Sequence, residues 1–251
     1  MNSLLTSTAV CASLLAAICL GSRLRRMLPE HHLSSDSKDA VKLSMGLIAT
    51  MTALLLGLLV SSAKNAYDTV RAGVVQMSAK AAMLDRVLEA YGPQAADARA
   101  RYHAVYTAGV NRMWSDEGRP GTRTLADTMA AASAYDGIQK LSPGNELQQA
   151  LKAEAIAMAM QTGELRGVIT AQAAPAVSRL MLVVVAGWLV VIFVGFTIVS
   201  PPNTTVVCAL VAAALSVSIA MFLVLELDRP FGGLIQLPKQ EMLNVLNHAA
   251  S

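Results

Sequence analysis

"LSMGLIATMTALLLGLLVSSA" (Leu43–Ala63) passes directly into "KNAYDTV" (Lys64–Val70), and this junction decides how the chain is built. The first stretch carries no Asp, Glu, Lys or Arg and is long enough for a helix to cross a bilayer core of roughly 30 Å. A helix satisfies its own backbone hydrogen bonds in lipid, which an open strand cannot do. Neither Gly nor Pro interrupts Ala63–Tyr67, so the span is expected to continue as a helix outside the membrane.

Three further runs lack charged residues: Ser3–Ser22, Leu180–Ser200 and Asn203–Leu225. The whole chain of 251 residues is 54% hydrophobic and only 15% charged, with a mean hydropathy of +0.48. A soluble domain carries roughly a quarter charged residues. The expectation is an all-α, polytopic membrane protein. Its spans cover about 3–22, 43–63, 180–200 and 203–225, with a helical insert at 64–179 and a polar tail at 226–251. A signal peptide is the alternative for the first run, but that reading wants a basic segment ahead of the apolar core. Here Arg23, Arg25 and Arg26 follow it.

Within the insert an apolar series runs Tyr67, Val70, Val74, Met77, Ala81, Leu84, Leu88, Tyr91. Its spacing alternates three and four, which is a helical seam. Gly92-Pro93 ends it. A second helix is expected over 94–114, then a loop at 115–123, a third helix to Leu141, and a break at Ser142-Pro143-Gly144. A fourth helix follows, with Leu147, Leu151, Met158 and Leu165 as its expected buried positions. "SPPN" (Ser200–Asn203) makes the last two spans a hairpin.

Little in the sequence points to catalysis or cofactors. His31-His32 beside Glu30 falls short of the three or four ligands of a metal site, and His103 reads as a helix-surface or partly packed residue. Cys11, Cys19 and Cys208 have no close-spaced partner, so no metal is expected. No phosphate loop, nucleophile elbow or basic stripe with aromatics is present, so neither cofactor nor nucleic acid is implied. No ionisable side chain lies inside a span, against a coupled pump.

Span two carries a face of small and weakly polar residues at Gly46, Thr50, Ala53, Gly57 and Ser61, with Leu54 on the same arc. Two readings stand open. Small residues let membrane helices pack closely; alternatively, they line a pore and leave its lumen clear. Orientation is also open under the positive-inside rule. Arg23, Arg25, Arg26, Lys38 and Lys42 stand on one side, against Lys64, Arg71, Lys80, Arg166, Arg179, Arg229 and Lys239 on the other.

"LLGLLVSSAKNAYDTV" (Leu55–Val70), "ELDRPFGG" (Glu226–Gly233) and "RRMLPEHH" (Arg25–His32) together resemble the bestrophin-like membrane proteins, a bacterial and plant family. The resemblance covers nearly the whole chain, and Leu-Asp-x-Pro-Phe-x-Gly is its most specific motif. It implies a homo-oligomer, pentameric in the related bestrophin channels, that sits among membrane lipid and passes inorganic ions. The second span would line the pore through Gly46, Thr50, Ala53, Leu54, Gly57 and Ser61. It implies a bacterial inner membrane and a cytoplasmic insert.

The post-span turn motif begins at Leu227; here Glu226 and Asp228 would leave the bilayer. Pro230 would fix the turn and Phe231 would seat in an apolar pocket. Gly232 and Gly233 would permit the reversal. Two features depart from the calcium-gated members. "GLIQLPKQ" (Gly233–Gln240) has no acidic run, and span two has no aromatic. The competing reading is a membrane-anchored structural or signalling protein whose seam from Tyr67 to Tyr91 oligomerises and relays movement.

Overall fold

The computed structural model describes residues 3–29, 34–114, 125–201, 203–240 and 242. Among these there are α-helices and one 3-10 turn, and no strand. The helices are α1 (Ser3–Met27), α2 (Ser35–Tyr91), α3 (Ala96–Met113), α4 (Leu125–Gln139), α5 (Glu146–Gln172), α6 (Arg179–Val199) and α7 (Thr204–Leu227); the 3-10 turn is Pro93–Ala95. Four of them, α1, α2, α6 and α7, are long and apolar enough to cross a membrane. The chain is therefore an all-α polytopic membrane protein with a helical insert between its second and third spans.

The chain divides into two compact units. One comprises Met1–Asn65 and Pro175–Asp228; the other comprises Ala66–Ala174 and Arg229–Ser251. The first part of α2 belongs to the former and the rest to the latter.

In the span unit, Leu14, Leu59, Ala63, Val185, Ala214, Met221 and Val224 form a buried core. Lipid tails are as apolar as these side chains, so close packing rather than water exclusion holds such helices together. Two glycines make the approach possible. A Cβ on Gly21 of α1 would stand 2.8 Å from Thr197 Cβ and from the Val194 carbonyl of α6. A Cβ on Gly195 of α6 would collide with the Met45 sulfur of α2. Side chains close the helix ends. The Asn203 side chain accepts from Val206 N–H at 3.0 Å to start α7, and Arg25 Nη1 donates to the Ile198 carbonyl at the end of α6, as cap and dipole require.

In the insert unit, the predicted seam is the core. Val70, Val74, Met77, Ala81, Leu84, Leu88 and Tyr91 are buried with Tyr102, Val110, Ile138 and Ile169, and Tyr67 packs half-buried against them. Gly92 leaves the helix at φ +108°, a region open to glycine, and the 3-10 turn then leads into α3. The expectation for α5 needs correction. Leu147 is 67% exposed, and Leu151, Met158 and Leu165 are only half-buried. The inward stripe is Ala155, Thr162 and Ile169. The close approach explains it: a Cβ on Gly73 of α2 would lie 2.8 Å from Ile169 Cγ1, which leaves little room for a row of leucines.

Candidate functional site

Taking about 100° per residue, Gly46, Thr50, Ala53, Leu54, Gly57 and Ser61 fall within an arc of roughly 100° on α2. All six are exposed in the single chain. The buried stripe of the same helix is Met45, Thr52, Leu59 and Ala63, on a different arc. A Cβ built on Gly46 or Gly57 meets nothing within 4 Å. Neither glycine therefore serves helix packing within the chain; Gly21 and Gly195 do. Thr50 Oγ1 donates to the Gly46 carbonyl at 2.9 Å, which satisfies the hydroxyl along its own helix. Leu54 is 66% exposed and is the bulkiest side chain of the six.

At the end of α7, Glu226 is fully buried. Ser3 Oγ donates to its Oε2 at 2.5 Å. The Glu226 carboxylate is thus enclosed by the protein at the end of α7. Glu226 closes the last turn of α7 against the first of α1. Leu227 is half-buried and packs on the same core. Asp228 turns back on the segment ahead of α6, where its Oδ1 accepts from the backbone N–H groups of Ala176 at 2.7 Å and Val177 at 3.1 Å. A charged acceptor serving two amides is among the stronger hydrogen bonds available.

The remainder of the motif lies in the insert unit. Gly232 N–H donates to the Arg229 carbonyl, and Leu237 N–H to the Pro230 carbonyl. Gly233 has φ +91°. Phe231 is buried, its ring edge-on to Trp114 with centroids 4.9 Å apart, and Trp114 Nε1 donates to the Leu237 carbonyl at 2.9 Å.

One cluster in the insert escaped the sequence reading. Asp85 sits one residue after Leu84 of the seam and is fully buried. Arg99 clasps it with Nε to Oδ1 at 2.6 Å and Nη2 to Oδ2 at 2.7 Å. His103 Nε2 bonds Oδ1 at 2.5 Å. Burial pushes the Asp85 carboxyl up, but the hydrogen bonds and charges of Arg99 and His103 outweigh it and hold the group below its ordinary value. The signal available in sequence was a carboxylate on the seam side of one helix, facing Arg and His four apart on the next.

Among the described residues no group of three or more His, Cys, Asp or Glu is placed to hold a metal ion. His31, His32, Glu30 and His248 lie outside them, as do residues 115–123. Cys11, Cys19 and Cys208 are free thiols.

A family model described as Bestrophin-like domain matches residues 11–242. No curated protein matches the sequence. Among solved structures, a bacterial bestrophin homologue from Klebsiella pneumoniae with a tryptophan-to-alanine mutation is similar at 14% identity. That match has a TM-score of 0.71 and covers 96% of this chain and 95% of the other. A second structure of a Klebsiella pneumoniae homologue, with a leucine-to-threonine mutation, is similar at 15% identity and a TM-score of 0.68, covering 96% and 97%. At such identity the likeness is one of fold.

Proposed function

The chain belongs to the Bestrophin-like family, and from that premise we propose that it is an ion channel formed by a symmetric homo-oligomer with α2 lining the pore. The observation that carries this reading is the contrast between two kinds of glycine. Gly21 and Gly195 are pressed against neighbouring helices, whereas Gly46 and Gly57 face open space on the arc that holds Thr50, Ala53, Leu54 and Ser61. A face of small side chains that no helix of its own chain covers suits a lumen. Leu54 then supplies an apolar ring able to gate by dewetting. By the family premise the oligomer is a pentamer, the membrane is a bacterial inner membrane and the insert is cytoplasmic.

The relay reading needs the seam from Tyr67 to Tyr91 as a dimerising surface. That seam is consumed by the core of its own unit, which favours the channel. The test is incorporation of the purified protein into planar bilayers, with the mass of the detergent-solubilised assembly measured in parallel. Unitary currents from an assembly of several chains support the reading. A monomer or dimer without current overturns it.

A further inference from the structure

Within its span, α2 carries a ridge, a small-residue face and a groove in that order around the helix. Taking about 100° per residue, Leu47, Met51 and Leu58 fall within an arc of roughly 40°. All three are large apolar side chains exposed in the single chain. Beside this ridge lies the arc of Gly46, Thr50, Gly57 and Ser61, with Leu54 at its near border and Ala53 at its far one. Beyond Ala53 opens a groove of about 590 Å³ between α2 and the pair α6 and α7. The α2 residues that line it, Ala49, Thr52, Ala53 and Leu56, stand roughly opposite the ridge on the helix.

The groove is built for an apolar occupant. Ala209 and Ala213 of α7 face it, and Ile192 and Phe196 of α6 form its wall. Its lining residues are uncharged. Thr52 Oγ1 donates to the Ile48 carbonyl at 2.7 Å, so that hydroxyl needs no outside partner. One turn before Ala49, Met45 presses on Gly195 and holds α2 to α6 at the border of the groove.

Lipid tails are as apolar as leucine, so burial alone does not decide what fills such a space. Close packing does: alanines on two facing helices let a third helix approach, and its docking releases lipid chains from confinement. If a dry cavity of about 150 Å³ holds benzene, this groove has room for about two dozen carbon atoms, twice the roughly twelve heavy atoms of the three ridge side chains.

The order of the faces supplies a second argument. Ridge and groove lie on opposite flanks of one helix, so they do not form a single patch that pairs with itself about a two-fold axis. The ridge of one copy meets the groove of the next, and such head-to-tail contacts generate a ring where the rotation closes. The small-residue arc between the flanks then faces the ring axis.

We infer that neighbouring copies of this chain join head to tail, with Leu47, Met51 and Leu58 of one copy seated in the groove between α2, α6 and α7 of the next. The inference rests on the reading of α2 as a pore helix and names the contact that assembles it.

The test is oxidative cross-linking of the purified full chain in detergent, in a background carrying Cys11→Ser, Cys19→Ser and Cys208→Ser. Met51→Cys and Ala209→Cys are introduced singly and together. The double variant is expected to give a ladder that runs beyond the dimer on a denaturing gel, while each single variant stays a single chain. Ala213→Leu fills the groove from an exposed position and should shift the detergent assembly towards single chains with helix content unchanged. Planar-bilayer recordings of the same preparations separate the two claims. A ladder without current upholds the contact and removes the pore, whereas current without a ladder overturns the contact alone. The contact is also overturned if Met51→Cys by itself traps a dimer, as a two-fold interface would. An assembly mass unmoved by Ala213→Leu overturns it too, as a groove filled by lipid would give.

Discussion

Arg99 of α3 grips Asp85 of α2 through both ends of its guanidinium fork, at 2.6 and 2.7 Å. The carboxylate is fully buried while the Arg99 side chain is 23% exposed. The pair therefore ties two helices of the insert core across a boundary that apolar contacts alone would leave free to slide.

Removing Arg99 leaves the buried carboxylate of the clasp with His103. Arg99→Met is expected to destabilise the insert by about 3 kcal/mol, the scale for breaking a buried ion pair. Arg99→Lys should rescue only in part, because an ammonium cannot reproduce the two-point fork. Thermal unfolding of the purified variants checks both, and equal stability of all three proteins would show the clasp to be idle.

The same pair sets an acid limit. Asp85 has its pKa depressed below the 3.8 of an ordinary carboxyl. Its stabilising contribution is therefore complete above that value and is lost as pH falls through the depressed one. Below about pH 4 the parent should lose stability with a steeper slope than Asp85→Asn, while near neutrality Asp85→Asn should be the less stable of the two. Parallel slopes would mean that other carboxylates govern acid unfolding.

Phe231 packs edge-on to Trp114 in the insert core. Phe231→Ala should cost on the order of 3 kcal/mol, as emptied aromatic sites usually do. Proteolysis between Asp228 and Leu237 should accelerate, with the Trp114 fluorescence shifted to the red. Unchanged protection would show that the ring does not anchor the turn.

Asp228 serves two backbone donors ahead of α6. Asp228→Ala should cost about 2 kcal/mol, the range for hydrogen bonds to a charged group. Faster hydrogen exchange at the amides of Ala176 and Val177 reports it locally. Asp228→Asn keeps one acceptor oxygen and should retain part of the protection.

The spans and the insert seam were legible because both follow from periodic chemistry. Charge-free runs of bilayer length and an apolar repeat at three and four each repeat a local signal many times. The stop at Gly92-Pro93 was legible for a different reason: it depends on two adjacent residues alone. The burial of Glu226 was not, because its partner Ser3 lies 223 residues away and no local pattern links them. The Asp85 clasp depends on which way two helices rotate toward each other, so no local pattern links Asp85 to Arg99 and His103. Leu147 misled because hydropathy favours the largest apolar residue, whereas the contact with Gly73 favours a stripe carrying Ala155 and Thr162. On α2 the sequence left packing and lumen both open, with packing the favoured reading. The glycine environments distinguish positions used within the chain from positions left free, and that difference motivates the channel reading.

Unitary current through the purified parent and through Leu54→Ser, each recorded in planar bilayers from assemblies of confirmed mass, tests that reading most directly. If Leu54 rings an apolar constriction, the parent conducts in discrete steps and the hydroxyl eases wetting, so Leu54→Ser should carry a larger current at the same voltage. Intact oligomers that pass no current in either form, or that pass identical currents in both, would contradict a pore lined by this face of α2.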